Sequence, residues 1–154
     1  MKKLTFVLLF CTSAFLSFSQ ELKFESGRTK HDVKPQLFAG LSEKFALTPT
    51  FLQDVMNLQV KQPVEVIVSS RLIVKGSVSS INNDVPGLTT ISIQSSETEG
   101  MVLSLSRLIL PDQTIVYRGI IISKNHSDML MLDKDPVTGN YTWTKKQVSM
   151  MIAD

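Results

Sequence analysis

The chain has 154 residues, 16 of them Lys or Arg and 14 Asp or Glu, which gives a formal charge of +2. The 16 basic residues include Lys2 and Lys3, so everything after them holds 14 residues of each sign and is formally neutral. Neutrality argues against a nucleic-acid ligand, which calls for a clustered basic face, and against attraction to an anionic membrane surface.

The first 19 residues have the pattern of a secretory signal peptide. Met1-Lys2-Lys3 is basic, residues 4–16 are almost all apolar, and Ser17-Phe18-Ser19 places small residues three and one positions before Gln20. The pattern predicts cleavage after Ser19 and export to the periplasm or beyond the cell. The apolar run is too short for a membrane span, so none is expected after signal removal.

The cysteine content limits how the predicted exported part of the chain can be stabilised. The one cysteine, Cys11, lies inside the predicted signal peptide. The remaining residues therefore have no disulfide and no cysteine zinc site, and their stability must come from an apolar core. About 135 residues are enough for one such core. We expect a flexible leader over residues 20–36 and a single β-rich domain over residues 37–154.

One helix is predicted near the start of this domain. Ser42 to Phe45 suggests a helical turn, and a firmer helix follows over residues 49–58. Thr48 is the expected N-cap and Pro49 the first helical residue. The apolar stripe that includes Phe51 and Val55 is expected to pack onto a sheet.

After Pro63 the apolar period changes from helical to two, which predicts strands. Short polar turns separate these strands and favour antiparallel meanders over βαβ units. The expected strands are residues 64–69, 72–78, 89–95, 101–108, 115–123, 129–133 and 140–146.

A weak internal echo suggests how the strands are arranged. Residues 72–78 resemble residues 115–121, and each copy joins an apolar run, a cation, a glycine and a second apolar run. Gly76 and Gly119 are expected at bulges or bends. The predicted fold is α+β and mostly antiparallel, with a short helix packed on about seven strands. These would form two three-stranded meanders face to face, as a sandwich, or a small barrel.

Catalytic and metal motifs are weak. His126-Ser127-Asp128 contains the residue types of a hydrolase triad, but three consecutive turn residues rarely attain triad geometry. Asp133-Lys134-Asp135 opens like a calcium loop, yet Thr138 stands where that loop needs glycine. No phosphate-binding glycine motif occurs in the sequence. We expect no catalytic residue, no metal site and no cofactor.

Aromatic residues near the end of the chain are the best candidates for binding. Tyr141 and Trp143 share one strand face, where rings beside polar groups suit sugars or peptides, although a place in the core is the favoured interpretation of Trp143. The predicted partner is an envelope protein or a glycan, and the oligomeric state is open. The candidate binding residues are Tyr117, Arg118, His126, Asp128, Tyr141 and Trp143.

Two resemblances add to this. Residues 41–45, 117–119 and 122–128 resemble small exported bacterial β-rich proteins of unassigned function. Residues 74–78, 90–93 and 100–102 are similar to the strand pattern in pro-domains of secreted reprolysin-type zinc metalloproteases, which keep a protease latent. Such pro-domains often place a cysteine on the zinc of the protease. That mechanism does not transfer, because the only cysteine, Cys11, lies in the predicted signal peptide. The leading hypothesis is an exported non-catalytic binding module. The alternative is a stand-alone pro-domain-like protease inhibitor or chaperone.

Overall fold

In the part of the chain that the structure describes, the residues form eight strands, most of them with alternating apolar side chains, and one short helix. The computed structural model describes residues 34–48 and 50–148. The helix α1 is Phe51–Met56. The strands are β1 (Lys44–Ala46), β2 (Pro63–Ser69), β3 (Leu72–Asn82), β4 (Leu88–Ser95), β5 (Met101–Ile109), β6 (Ile115–Ser123), β7 (Asp128–Lys134) and β8 (Tyr141–Gln147).

All eight strands form one antiparallel sheet in the order β1-β8-β7-β6-β5-β4-β3-β2. The sheet curls into a half-barrel. Because β1 and β2 stand at the two ends of the strand order, they are its edges. The predicted class, mostly antiparallel β with one short helix, is confirmed. The two meanders expected from the sequence echo are not separate sheets, because β5 of the first and β6 of the second pair along their whole length and join them.

The core lies on one face of this sheet, here called the inner face. Period-two alternation sends Leu103 and Leu105 of β5 to this face and Ser104 and Ser106 to the opposite, outer face. Phe51 and Val55 of α1 are buried against it. Burial of these apolar side chains, each stabilising by about 1.5–3 kcal/mol, replaces the disulfides that the sequence lacks. The fully buried residues of the inner face include Val68, Val74, Ile93, Leu103, Leu105, Ile121, Leu130 and Trp143.

Gly76 in β3 and Gly119 in β6 are the two glycines for which bulges or bends were predicted. At Gly76 a Cβ would lie 2.0 Å from the backbone oxygen of Gln94, so only glycine fits between the strands. The register shift in β3 comes later, between Val78 and Ser80. Gly119 pairs with β5 and β7 without a shift. Of the predicted bulges or bends, a bulge is therefore wrong at Gly119 and lies at least two residues after Gly76, and the bends stay a prediction.

The segment before α1 also differs from the prediction. The expected helical turn at residues 42–45 is wrong, because Lys44–Ala46 is strand β1 and Phe45 pairs with Trp143. The helix begins at Phe51, and its side-chain cap is absent. Thr48 instead donates its hydroxyl hydrogen to the oxygen of Ile67, 2.6 Å away. Pro49 lies outside the described residues.

The predicted signal peptide, most of the predicted leader and the apolar end of the chain after Val148 also lie outside the described residues. Residues 34–36 of that leader contact the domain, where the oxygen of Pro35 accepts from Ser127 N at 3.0 Å. In the part of the chain that is described, no helix is long and apolar enough to cross a membrane.

Candidate functional site

The structure distributes the six sequence-predicted binding residues over three places. Tyr117, Tyr141 and Trp143 lie on the inner face. Arg118 lies on the outer face, while His126 lies in the turn between β6 and β7 and Asp128 is the first residue of β7. They therefore do not form one site.

The two tyrosines close an opening in the sheet. The pairing of β6 with β7 covers only four residues of β6, from Gly119 to Ile122, so the strands separate beyond it. Tyr141 reaches across from β8 and its hydroxyl accepts a hydrogen bond from Tyr117 N at 2.9 Å. The rings stack edge to face with centroids 5.7 Å apart. This arrangement gives the pair a packing role in the fold.

Trp143 is fully buried. Its ring meets Phe51 of α1 edge to face at 5.7 Å, and it fills the space that the missing side chain of Gly119 leaves open. Of the two sequence interpretations of Trp143, ligand platform or core, the structure places the ring in the core.

Asp128 fastens the start of the domain to β7. Its buried carboxylate accepts from the backbone N–H groups of Leu37 at 2.6 Å and Phe38 at 2.9 Å. His126 Nδ1 instead lies 2.8 Å from the hydroxyl of Ser123. Ser127 donates to the oxygen of Pro35. The three consecutive residues thus have three different partners and do not form a triad.

Arg118 forms an ion pair with Asp133, whereas Asp135 of the calcium-like segment accepts hydrogen bonds within its own turn. Arg118 Nη1 lies 3.3 Å from Asp133 Oδ1 in an exposed ion pair beside a shallow depression of about 160 Å³. Asp135 accepts from the N–H groups of Thr138 and Val137, and these hydrogen bonds hold the pKa of its carboxyl below the ordinary value. Across residues 34–48 and 50–148 there is no group of three or more His, Cys, Asp or Glu placed to hold a metal ion.

A larger concavity lies elsewhere, between α1 and the edge strand β2. This groove, of about 310 Å³, has an apolar floor that includes Phe51 and Val66, and its lining also includes the acidic residues Asp54 and Glu65. Phe51 and Val66 are buried, whereas both acidic residues are exposed. We call it the α1–β2 groove.

One wall of the α1–β2 groove is the unpaired edge of β2. Val78 N donates to the oxygen of Gln62 at 3.0 Å, and hydrogen-bonded and outward-facing residues alternate along an antiparallel edge strand. With the observed register, Val64 and Val66 bond to β3, and the backbone groups of Glu65 and Ile67 point away from the sheet. The Thr48 hydrogen bond to the oxygen of Ile67 agrees with this orientation.

The sequence analysis missed the α1–β2 groove. A signal was present, because Pro63 at the start of the run has no N–H to give to a neighbouring strand and so suits an outward-facing position on an edge. That strand 64–69 would be an edge, however, depends on strand order, which the periodicity of the chain does not determine.

No protein-family model matches the chain, and neither a curated protein nor a solved structure shows significant similarity to it.

Proposed function

We propose that the protein is an exported non-catalytic binding module of the cell envelope, and that it binds its partner in the α1–β2 groove. The observation that carries the proposal is the combination of an apolar floor, two exposed acidic residues and unpaired backbone groups along one concavity. An apolar floor supplies affinity, and a few placed polar groups supply orientation.

Other places on the described surface fit a partner less well. A concavity of about 330 Å³ beside β8 is lined by charged and amide side chains without an apolar floor, and its Lys145 is already paired with Glu43. The aromatic side chains that could have formed a platform are used in packing, because Trp143 is buried and Tyr141 bonds to Tyr117 N. The depression beside Arg118 is about half the volume of the α1–β2 groove, and its ion pair is already formed.

Site-specific photo-crosslinking tests the proposal. A photoreactive amino acid replaces Thr50 on the groove rim, and in a matched control it replaces Thr114, an exposed threonine in the turn between β5 and β6. Each protein is expressed in its own cells, irradiated, and analysed by mass spectrometry of the envelope and culture fractions. We expect a defined adduct from position 50 and none from position 114.

The same experiment separates the alternative. An adduct with a secreted metalloprotease, together with loss of its activity in a purified mixture, would support the pro-domain-like inhibitor instead. Equal labelling from both positions, or an adduct at position 114 alone, would overturn the proposal that the groove is the binding surface.

A further inference from the structure

We infer that the partner in the α1–β2 groove is an extended polypeptide segment with a Lys or Arg side chain, which joins the sheet as a further strand beside β2. This inference rests on the proposed function and specifies the chemistry of the partner. Strand addition to an exposed edge is a general mode of peptide recognition, in which backbone hydrogen bonds give affinity and side-chain contacts give specificity.

The backbone groups set the length of the segment. Glu65 offers an outward N–H and an outward C=O, which together form one complete antiparallel pair with an incoming residue. Ile67 adds a donor, because its oxygen is already occupied by Thr48, and Pro63 adds only an acceptor. These four groups extend over five residues of β2, so the contact needs a partner segment of similar length.

Charge determines which side chain the segment carries. Asp54 from α1 and Glu65 from β2 line the same groove, and neither forms an ion pair with any residue in the described ranges. Lys61, the cation next to this region in sequence, is not part of the groove lining. A basic side chain opposite Glu65 on the added strand would therefore meet an unpaired carboxylate, and Asp54 adds a second negative charge to the lining of the same groove.

A second copy of the chain is a poorer occupant. Two β2 strands paired antiparallel about Glu65 would set two glutamates directly opposite each other, and like charges in that position destabilise a sheet. Each copy would also bring Pro63, which has no N–H to donate.

Defined peptides test the inference on the purified protein. The probes are fluorescent nonapeptides of alternating Thr and Val with Lys, Gln or Glu at the centre, and binding is measured by fluorescence anisotropy. We expect the Lys peptide to bind about fivefold more tightly than the Gln peptide, the effect of one exposed ion pair, and the Glu peptide to bind most weakly.

Backbone N-methylation of the Lys peptide tests the strand geometry. Methyl groups on alternate residues block one edge of an extended chain and leave the other edge intact. Because only one edge can face β2, one alternation should weaken binding by about tenfold or more and the other should change it little. Equal effects of the two alternations would overturn the inference.

Protein variants locate the site. Glu65→Gln and Asp54→Asn should each reduce the preference for Lys over Gln, and the control Glu99→Gln, at an exposed glutamate in the turn between β4 and β5, should retain it. Amide exchange should slow at Glu65 and Ile67 when the Lys peptide binds.

The remaining outcomes contradict the inference. If none of the peptides binds at millimolar concentration while Thr50 still crosslinks to a partner, the strand-addition mode fails and the binding function stands. Slow exchange at Glu65 in a peptide-free dimer, detected by sedimentation, would make a second copy the occupant.

Discussion

The two edges of the sheet are treated differently by the chain. At the β1 edge the strand has three residues, and the preceding segment is fixed to the domain by Asp128 and by Lys145, whose ammonium lies 3.0 Å from Glu43. At the β2 edge the strand has seven residues, Pro63 offers no N–H, and the Thr48 hydroxyl is hydrogen-bonded to the outward oxygen of Ile67.

An exposed edge strand invites further pairing, and proteins commonly shorten, charge or cover such edges. The β1 edge follows that rule by shortening and by fixing the adjoining chain. The β2 edge keeps a carboxylate, Glu65, in the middle of its open stretch, which permits pairing only with a suitable partner. Under the proposed function, the β1 edge stabilises the domain and the β2 edge receives the partner.

Removing Trp143 should have the largest effect, because it joins the β1 edge to α1. Trp143 pairs with Phe45 and stacks on Phe51. Trp143→Ala should lower the free energy of unfolding by about 3–5 kcal/mol through loss of apolar contacts and an unfilled cavity. Urea denaturation measures this, with Val137→Ala, at a position 90% exposed, as a control that should change little. A change below about 1 kcal/mol would contradict the core role of Trp143.

Asp128 tests how the start of the domain is held. Asp128→Ala should lower the free energy of unfolding by about 2–4 kcal/mol, since two N–H groups, one of them buried, lose a charged acceptor. Asp128→Asn keeps one oxygen and should cost less. Asp84→Asn, in the exposed loop between β3 and β4, is the matched control for urea denaturation. Equal values for Asp128→Ala and the control would show that the segment before β1 is not fastened by this carboxylate.

The sequence was most informative where one local pattern decides the outcome. Period two located all seven predicted strands, because a half-buried strand alternates regardless of its neighbours. It failed at β1, where three residues are too few for a period and pairing with Trp143 decides the conformation. Strand order, and with it the β2 edge, depends on long-range pairing. The site residues were chosen by chemical type, and type alone does not separate a ligand-binding Trp143 from a buried one.

Thr48 gives a smaller test of the β2 edge. Thr48→Val keeps the shape of the side chain and removes its hydrogen bond to Ile67. We expect the free energy of unfolding to fall by about 0.5–1.5 kcal/mol. The affinity for the Lys-centred peptide should not fall, because the oxygen of Ile67 is not among the groups that bond to the added strand. Urea denaturation and anisotropy measure the two effects, and a large loss of affinity would mean that Thr48 itself contacts the partner.

The smallest expected effect is a change in how the free energy of unfolding depends on acidic pH, through Asp135. Hydrogen bonds from Thr138 and Val137 lower the pKa of Asp135 in the folded state. A lowered folded pKa adds stability above the unfolded value, and this contribution disappears as the pH falls toward the folded value. From about pH 5 to about pH 3, Asp135→Asn should therefore lose less stability than the unmodified protein, as measured by urea midpoints. Val137→Ala keeps both N–H donors and should retain the full pH dependence; an equal loss in all three proteins would contradict the assignment.

Residue-resolved hydrogen exchange of the free protein tests the contrast between the two edges most directly. Leu37 and Phe38 donate their amide hydrogens to Asp128, and those of Glu65 and Ile67 point away from the sheet. We predict slow exchange at Leu37 and Phe38 and fast exchange at Glu65 and Ile67, while Val64 and Val66, which alternate with Glu65 and Ile67, stay protected by β3. Comparable protection at Glu65 and Ile67 in the monomeric free protein would mean that the β2 edge is already covered, and the proposed binding surface would be contradicted.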